Sequence, residues 1–567
     1  MEEMTPDNLN KHKVLLMVLP YWTPLLPMLG ISSIKSYLQE NGVEAFTIDS
    51  NVDEDFLEMH DKYFNLLEGA LSDDKVISKN HILNIGHNVM QNHMMAYINK
   101  KANEKDYFEL LDLNLREFFF IEPSNILLTQ LNEIVTDFFL KLDHYIEQII
   151  KEHNPTVLGL SVFNHTLPAS IFTFRLIKER YPYIRLTMGG GVFSTTLPLD
   201  SPNLSSFLDE MKDIIDKIFV GPSEVAFLKY LQGEFEDEKI ILTNQKKDCQ
   251  FDINKAPLPD FGDFDLEKFP YLASYGSVGC PFKCSFCSET VLWGGFREKY
   301  PEKIVSDMKA LSERHDYQLF WMCDSLVNPF ATELAREIIE KDYSLYWDGY
   351  FRVDKKAEKF ENCLLWRRGG MYKARLGVES GSQKVLNLMD KRITVDMIRK
   401  SLRNLAEAGI KTTTYWILGY PGETEEDFQM TLDLITELKD YIYEVMCEPF
   451  YYNHSGQVKS EEWLKDSVSR RLFPEKFKDM LLTETWIMDC NPPRETIFKR
   501  LRQFVDHCNN KLGIPTPYTI RELCKADERW MKLHPNAVPP LINFMYEKNI
   551  EENKAVPYPI LNGGITR

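Results

Sequence analysis

Several things are scarce in this chain of 567 residues. Cysteine is one: ten residues, under 2%, against the roughly 8–10% of a disulfide-built scaffold. None of the ten lies in residues 1–248. Glycine (27) and proline (29) are too few for a collagen-like or low-complexity chain. No apolar run reaches the length of about 18 residues that a membrane-spanning helix needs. The start, Met-Glu-Glu-Met-Thr-Pro-Asp, is acidic and polar, unlike the basic and then apolar start of a signal peptide. Positive charge is in the minority, 66 Lys plus Arg against 85 Asp plus Glu, for a net charge of −19. Nucleic-acid binding draws on clustered Lys and Arg that release counterions, so nucleic acid is not expected as the main partner. The expected setting is a reducing cytoplasm, where thiols stay free or bind metal.

What is present is ordinary globular material, 44% apolar and 27% charged. At about 150 residues per domain, the length suggests roughly three or four units. Residues 14–19 form a near-continuous apolar run ended by Pro20, the pattern of a buried parallel strand. The loop Tyr21-Trp22-Thr23-Pro24-Leu25-Leu26-Pro27 leads through Gly30 to a helix over 31–40, stopped by Asn41-Gly42. A second strand spans 43–48. Residues 52–135 then carry helix-like periodicity and few strand signals, and read as a helical insertion. The alternation resumes with strands at 156–163, 184–188 and 217–220 and helices at 170–180 and 225–231. Such alternation predicts an α/β fold with a parallel, doubly wound, Rossmann-like sheet, which binds ligands at the carboxyl ends of its strands. Those ends carry Pro20–Gly30, Ser161–Thr166, Gly189–Thr196 and Gly221–Glu224.

This first domain covers 1–231, and 232–270 reads as a polar linker. From 271 to 450 a strand–helix rhythm repeats six times, with strands at 271–278, 319–323, 346–352, 374–378, 412–418 and 444–450. Six such units predict a partial (β/α)6 barrel of the TIM type. Thr424 is placed to cap the helix that follows it through the amide of Asp427. Residues 451–567 lack strand rhythm and read as a helical C-terminal domain capping the barrel.

The first barrel strand runs into Gly279-Cys280-Pro281-Phe282-Lys283-Cys284-Ser285-Phe286-Cys287, a C-x3-C-x2-C spacing. Three thiols this close in a reducing compartment point to a shared metal. Structural zinc wants four Cys or His ligands, and the closest candidates for a fourth in sequence are Cys249 and His315. A 4Fe-4S cluster takes a ligand on each of four irons, so three cysteines leave one iron for an external chelator.

With this motif the chain resembles the radical SAM superfamily over residues 271–450. The resemblance implies a 4Fe-4S cluster on Cys280, Cys284 and Cys287, whose open iron takes the amino and carboxylate groups of S-adenosylmethionine. One electron, from a donor such as flavodoxin or ferredoxin, then cleaves that molecule to methionine and a 5′-deoxyadenosyl radical. Phe286 matches the aromatic whose backbone lies near the adenine, and Ser288 follows it in the cofactor loop. Arg352, ending the third strand, is suited to the methionine carboxylate as a planar fork of donors. Glu379 and Ser380, ending the fourth, resemble the contacts to the amino group and ribose. Leu418, in Ile417-Leu418-Gly419-Tyr420-Pro421-Gly422, matches the apolar wall beside the adenine. Asp324 and Asn328, ending the second strand, are candidates to reach substrate or cofactor.

A doubly wound sheet ahead of such a barrel resembles the cobalamin-binding domain of the class B, cobalamin-dependent radical SAM methyltransferases. The resemblance implies corrin contacts from Ser161, Val162 and Asn164, from Gly189, Gly190 and Gly191, and from Gly221 and Glu224. The Asp-x-His-x-x-Gly signature of an axial histidine is absent from the first loop, and Tyr21, Trp22 and Leu26 would instead form an apolar floor, with Gly30 a further contact. The last loop departs from the family pattern, Gly-Pro-Ser-Glu standing where Gly-Glu-Gly/Ala-Glu is usual. The implied activity is radical transfer of a methyl group to an unactivated carbon of a small-molecule or peptide substrate in natural-product biosynthesis. The alternative is a radical SAM cyclase, ring-rearranging enzyme or epimerase, with cobalamin non-methylating or absent. A methylthio-transferring enzyme is disfavoured, because its N-terminal domain brings cysteines of its own.

Overall fold

The computed structural model of the protein describes residues 11–22, 25–71, 79–250, 252–458, 469–515 and 520–545. Thr23 and Pro24 of the first loop, the acidic start, and the proline-containing end beyond residue 545 lie outside the described residues.

The first sheet is built from β1 (Lys13–Val18), β2 (Glu44–Asp49), β3 (Val157–Ser161), β4 (Arg185–Gly189), β5 (Lys217–Val220) and β6 (Ile240–Leu242), in the order β2-β1-β3-β4-β5-β6. Every pairing is parallel. Val14 to Val18 are all buried, because helices cover both faces of such a sheet. The span 232–270, expected as a linker, supplies β6. Its apolar Ile240-Ile241-Leu242 is too short to stand out against the polar residues around it, yet it pairs with β5 and buries Ile241. Strand order reverses between β1 and β3, which makes the loops after these two strands the switch-point crevice of an open α/β sheet.

Between β2 and β3 lie four helices, Glu54–Ala70, Lys79–Asn99, Glu104–Phe119 and Asn125–His153. The last runs unbroken past residue 135, the expected end of the insertion. Leu128, Leu131, Val135, Phe138, Leu142, Ile146 and Ile150 recur every three or four residues along it and are buried, so one amphipathic stripe carries the chain into β3.

The second sheet is also all parallel. Its strands are β7 (Leu272–Ser274), β10 (Leu319–Met322), β11 (Tyr346–Arg352), β12 (Met371–Glu379), β13 (Lys411–Leu418) and β14 (Glu444–Pro449). The expected strand 271–278 is broken. After β7 the amide of Gly276 turns to Asp324, and the chain restarts as β8 (Ser277–Val278), antiparallel to β9 (Arg297–Glu298). The barrel interior carries buried, paired charge. Arg375 grips both carboxylate oxygens of Asp348 (3.2 and 2.8 Å) and lies over Trp321, while Lys373 sits between Asp348 and Glu444. Buried charges persist only when paired in this way.

Thr424 and Asp427 form a reciprocal capping box at the helix Glu425–Leu438. The C-terminal part is helical at Arg494–Asp506 and Ile520–Leu533, and it adds a small antiparallel pair, Ser469–Arg471 with Trp486–Met488. Three-residue strands leave no readable period, which is why this pair was not expected. No helix among the described residues is long and apolar enough to cross a membrane.

Candidate active site

The cluster loop lies between β8 and the short helix Glu289–Trp293, at the mouth of the barrel. Cys284 is buried among Phe286, Val385, Met389 and Tyr420, with Phe282, Cys287, Ile417 and Phe450 packed against them. The loop is tied down from beneath. The Ser285 amide donates to the Met389 carbonyl (3.0 Å), and its hydroxyl meets the Tyr420 hydroxyl at 2.6 Å. Burial pushes the thiols of Cys280 and Cys287 up from their ordinary pKa, so they ionise only against a cation, as metal ligands do. Among the described residues no three His, Cys, Asp or Glu side chains are grouped around one point as a single-ion site requires. Three cysteines suit a 4Fe-4S cluster with one iron left open, whereas a structural zinc would want a fourth Cys or His.

Arg352 stands beside the loop. One of its amino groups donates to Cys284 Sγ (3.4 Å), the guanidinium stacks over Phe282 (4.1 Å to the ring centroid), and Nη2 is buried without a partner in the protein. A buried, unpartnered guanidinium N–H is costly and suits a ligand carboxylate. Glu379, at φ +68°, is nearly fully buried and accepts from Lys391 Nζ at 2.6 Å. Lys391 also lies 5.5 Å from the Phe286 ring centroid. Ser380 Oγ accepts from the Ser382 amide (3.1 Å) and meets Thr431 Oγ1 at 3.4 Å. Ser288 is buried at the start of the short helix, and Leu418 is buried at the end of β13. The structure thus brings Cys280, Cys284, Cys287, Phe286, Arg352, Glu379, Ser380 and Leu418 to one mouth.

Asp324 and Asn328 serve the chain itself. Asp324 accepts from the Gly276 amide and from Ser277 Oγ (2.5 Å). Asn328 accepts from the Arg352 amide and donates to its carbonyl (2.7 and 2.8 Å), holding that residue in place. Lys391, Tyr420 and Gln457 escaped sequence reasoning. Gln457 comes from the C-terminal cap and donates to the Phe286 carbonyl (2.9 Å), while the Val458 amide reaches the Cys287 carbonyl (3.2 Å). No local motif marks such residues, since each is defined by a partner more than a hundred positions away or, for Lys391, by a loop turning back on Glu379.

At the sheet's carboxyl edge the expectations divide. Trp22 stacks on Phe163 (3.8 Å, 16°), joining the loops after β1 and β3 across the switch point, and its amide donates to Asn51. Gly30 opens on free space, with no atom within 4 Å of where a Cβ would stand. Burial raises the Glu224 carboxyl above its usual pKa, and Glu224 Oε2 has no partner in the protein. These features fit a bulky ligand rich in donors. Others do not act as expected. Tyr21 turns away, packing on His60 and Phe138 of the insertion. Leu26 is half-buried, and its neighbour Leu25 packs on Tyr271 and Trp321 of the barrel. Asn164 spends its carbonyl on Thr195 and Thr196 (2.5 and 2.8 Å). The glycines after β4 were expected to let a ligand approach, but their space is taken by the chain. A Cβ on Gly190 would lie 2.4 Å from the Val162 carbonyl oxygen, one on Gly191 would meet the Phe163 ring at 3.1 Å, and only Gly189 is merely in contact. Gly221 is likewise filled by Thr243 and Asn244. Val162 is buried against this turn, its amide on the Gly189 carbonyl (2.8 Å), and Ser161 pairs with Gly189.

The edge faces the cluster loop. Asn244, just beyond β6, donates to the Leu292 carbonyl (2.9 Å) and borders Gly294.

Comparison with known proteins agrees with this geometry. Residues 274–435 match the radical SAM superfamily. The anaerobic magnesium-protoporphyrin IX monomethyl ester cyclase of Rubrivivax gelatinosus is 25% identical over 307 residues, 49% of this chain and 53% of that protein. An uncharacterized methyltransferase of Pyrococcus horikoshii is 21% identical over 324 residues, 54% of this chain and 69% of that one. The chain therefore spans about half the length of the first of these relatives. Among solved structures, the radical S-adenosylmethionine methyltransferase TsrM of Kitasatospora setae, with cobalamin and a [4Fe-4S] cluster bound, aligns with a TM-score of 0.50 at 15% identity. The match covers 82% of this chain and 81% of that one. With its cysteine loop at the mouth of an open six-stranded barrel, the chain carries a radical SAM domain over residues 274–435 and shares its fold with the cobalamin-bound methyltransferase TsrM.

Proposed function

We propose that the protein is a cobalamin-dependent radical SAM methyltransferase acting on an unactivated carbon of a small-molecule or peptide substrate. One observation carries the reading: the ligand edge of the first sheet is turned onto the cluster loop, through Asn244 on Leu292 and through the packing of Gly191–Ser194 against the helix Glu289–Trp293. A methyl carrier on that edge and a radical source in that loop would share one enclosed space.

Cys280, Cys284 and Cys287 would hold a 4Fe-4S cluster, and the crevice at Trp22, Phe163, Gly30 and Glu224 would hold cobalamin. When bound, these groups supply reductive cleavage of S-adenosylmethionine and a transferable methyl group. The chain's own residues do the rest. Arg352 offers an unpartnered N–H to a carboxylate, and Asn328 fixes its backbone. Glu379 is held ready for an ammonium group by Lys391. Phe286 is pinned by Gln457, so the cap closes over the loop and keeps water out. Ile417, Tyr420 and Phe450 make the apolar wall.

The test is anaerobic turnover after reconstitution, with both S-adenosylmethionine products quantified. Equal amounts of 5′-deoxyadenosine and S-adenosylhomocysteine, and a product one carbon heavier, are expected. Deoxyadenosine alone, with a product of unchanged carbon count, would reject methyl transfer in favour of cyclisation, rearrangement or epimerisation.

A further inference from the structure

Where the first sheet, the helical insertion, the end of β14 and the C-terminal cap meet, they leave a cavity of about 150 Å3. A cavity of about this size holds one benzene-sized ring. Its wall has a distinct chemistry. Asn, Gln, Ser and Thr side chains dominate it, with aromatic rings from Tyr451, Tyr452 and Trp486, and no lysine or arginine lines it among the described residues. Sites for phosphate or carboxylate are built on Arg, Lys or clustered backbone N–H groups. The two acids in the wall are already engaged. Glu484 pairs with Arg471 (2.7 Å), and Glu448 lies against the Tyr451 hydroxyl.

Several polar groups in the wall have nothing to bond to. Gln91 is buried on the helix Lys79–Asn99 and lines the cavity, and its amide makes no hydrogen bond within the protein. His165 Nδ1, His454 Nδ1 and Trp486 Nε1 are buried and without partners. Burial lowers the pKa of both imidazoles, that of His165 to about 4, so both rings are neutral at pH 7. The indole N–H only donates, a neutral imidazole does either, and an amide does both. Unmet groups of this kind are costly in a folded protein, and a ligand carrying both a donor and an acceptor would satisfy them.

We infer that this cavity is a recognition subsite for a neutral, ring-sized group bearing an amide or an equivalent donor–acceptor pair, and that it excludes anions. The inference rests on the reading above and deepens it, since the cavity takes in Asn164 and His165 of the loop after β3 that borders the proposed corrin crevice. That chemistry has two sources, the substrate or a peripheral amide of the corrinoid.

The experiment uses benzamide and benzoate, which share a shape and differ in charge, with the reconstituted full chain. Ligand-observed saturation-transfer NMR should show benzamide binding at least tenfold more tightly than benzoate. Gln91→Leu should abolish the benzamide signal without lowering the unfolding temperature, since the replaced amide has no internal partner to lose. Equal binding of benzoate, or benzamide binding unchanged in folded Gln91→Leu, overturns the inference. The source is read from the corrinoid. If cobalamin loading blocks benzamide, and Gln91→Leu weakens cobinamide binding, the occupant is a corrin amide. If benzamide still binds the cobalamin-loaded protein, and Gln91→Leu leaves cobinamide affinity intact, the occupant is the substrate. A chain that yields both S-adenosylmethionine products but discriminates against no anion refutes this subsite alone. One that prefers benzamide but makes no S-adenosylhomocysteine refutes the methyltransferase alone.

Discussion

Asp324 is the residue through which pH should act most directly on the cluster loop. Its carboxylate takes the Gly276 amide on both oxygens (3.1 Å each) and Ser277 Oγ at 2.5 Å, just where the chain leaves β7. Burial lifts its pKa from 3.8 to about 7, even though these bonds and Lys299 pull the other way. The folded state therefore keeps a proton that the unfolded chain has released above pH 3.8. Its contribution to stability is complete below that value and is lost as pH rises through about 7. At about 1.4 kcal/mol per pKa unit the whole swing is roughly 4 kcal/mol, of which about 2.6 kcal/mol falls between pH 5 and pH 8. Asp324→Asn keeps an acceptor for Gly276 and Ser277 but cannot ionise. Its thermal midpoint should fall less than that of the wild type between pH 5 and pH 8, by about 2 °C at about 0.8 °C per kcal/mol for a chain of this length. Scanning calorimetry under anaerobic conditions across that range measures the difference. Parallel pH profiles for the two proteins, or a steeper one for the variant, would refute the argument.

Three further outcomes follow from the site. Arg352→Ala removes a buried charge-assisted donor worth about 1.5–3 kcal/mol, so equilibrium dialysis with the reconstituted protein should show S-adenosylmethionine binding weakened roughly ten- to 150-fold. Gly190→Ala places a Cβ against the backbone of Val162 at φ +107°. It should cost about 3 kcal/mol, seen as a lower unfolding midpoint and faster exchange of the Val162 amide. Serine at Cys280, Cys284 or Cys287 should each abolish the cluster's visible absorption on reconstitution, whereas Cys490→Ser should leave it intact.

Much of this architecture is legible in the sequence because parallel strands buried on both faces write themselves as apolar runs. Val14 to Val18 and Val157 to Leu160 are of this kind, and each ends at a loop of the switch point. The cysteine spacing is legible for a related reason: three ligands in one loop need no distant partner to be recognised. β6 and the hairpin Ser469–Arg471 with Trp486–Met488 were not legible, being three residues long, below the length at which any periodicity can be counted. Lys391 was hidden for another reason. A buried lysine is unremarkable in sequence until its carboxylate, here Glu379, is found opposite.

The glycines show where sequence reasoning reaches its limit. Gly30 and Gly190 both sit at the carboxyl edge of the first sheet, and both were expected among the corrin contacts. At Gly30 that space is open, whereas at Gly190 it is taken by Val162, whose amide and carbonyl close the turn after β4 through Gly189 and Val192. The same residue type thus leaves space open at the start of one helix and is filled by the chain in the next loop, and only the packing of the neighbouring segment decides which. That decision also moves the expected corrin contacts. What the protein leaves unfilled along this edge is the open face of Gly30 after β1 and, after β5, the unpartnered oxygen of Glu224.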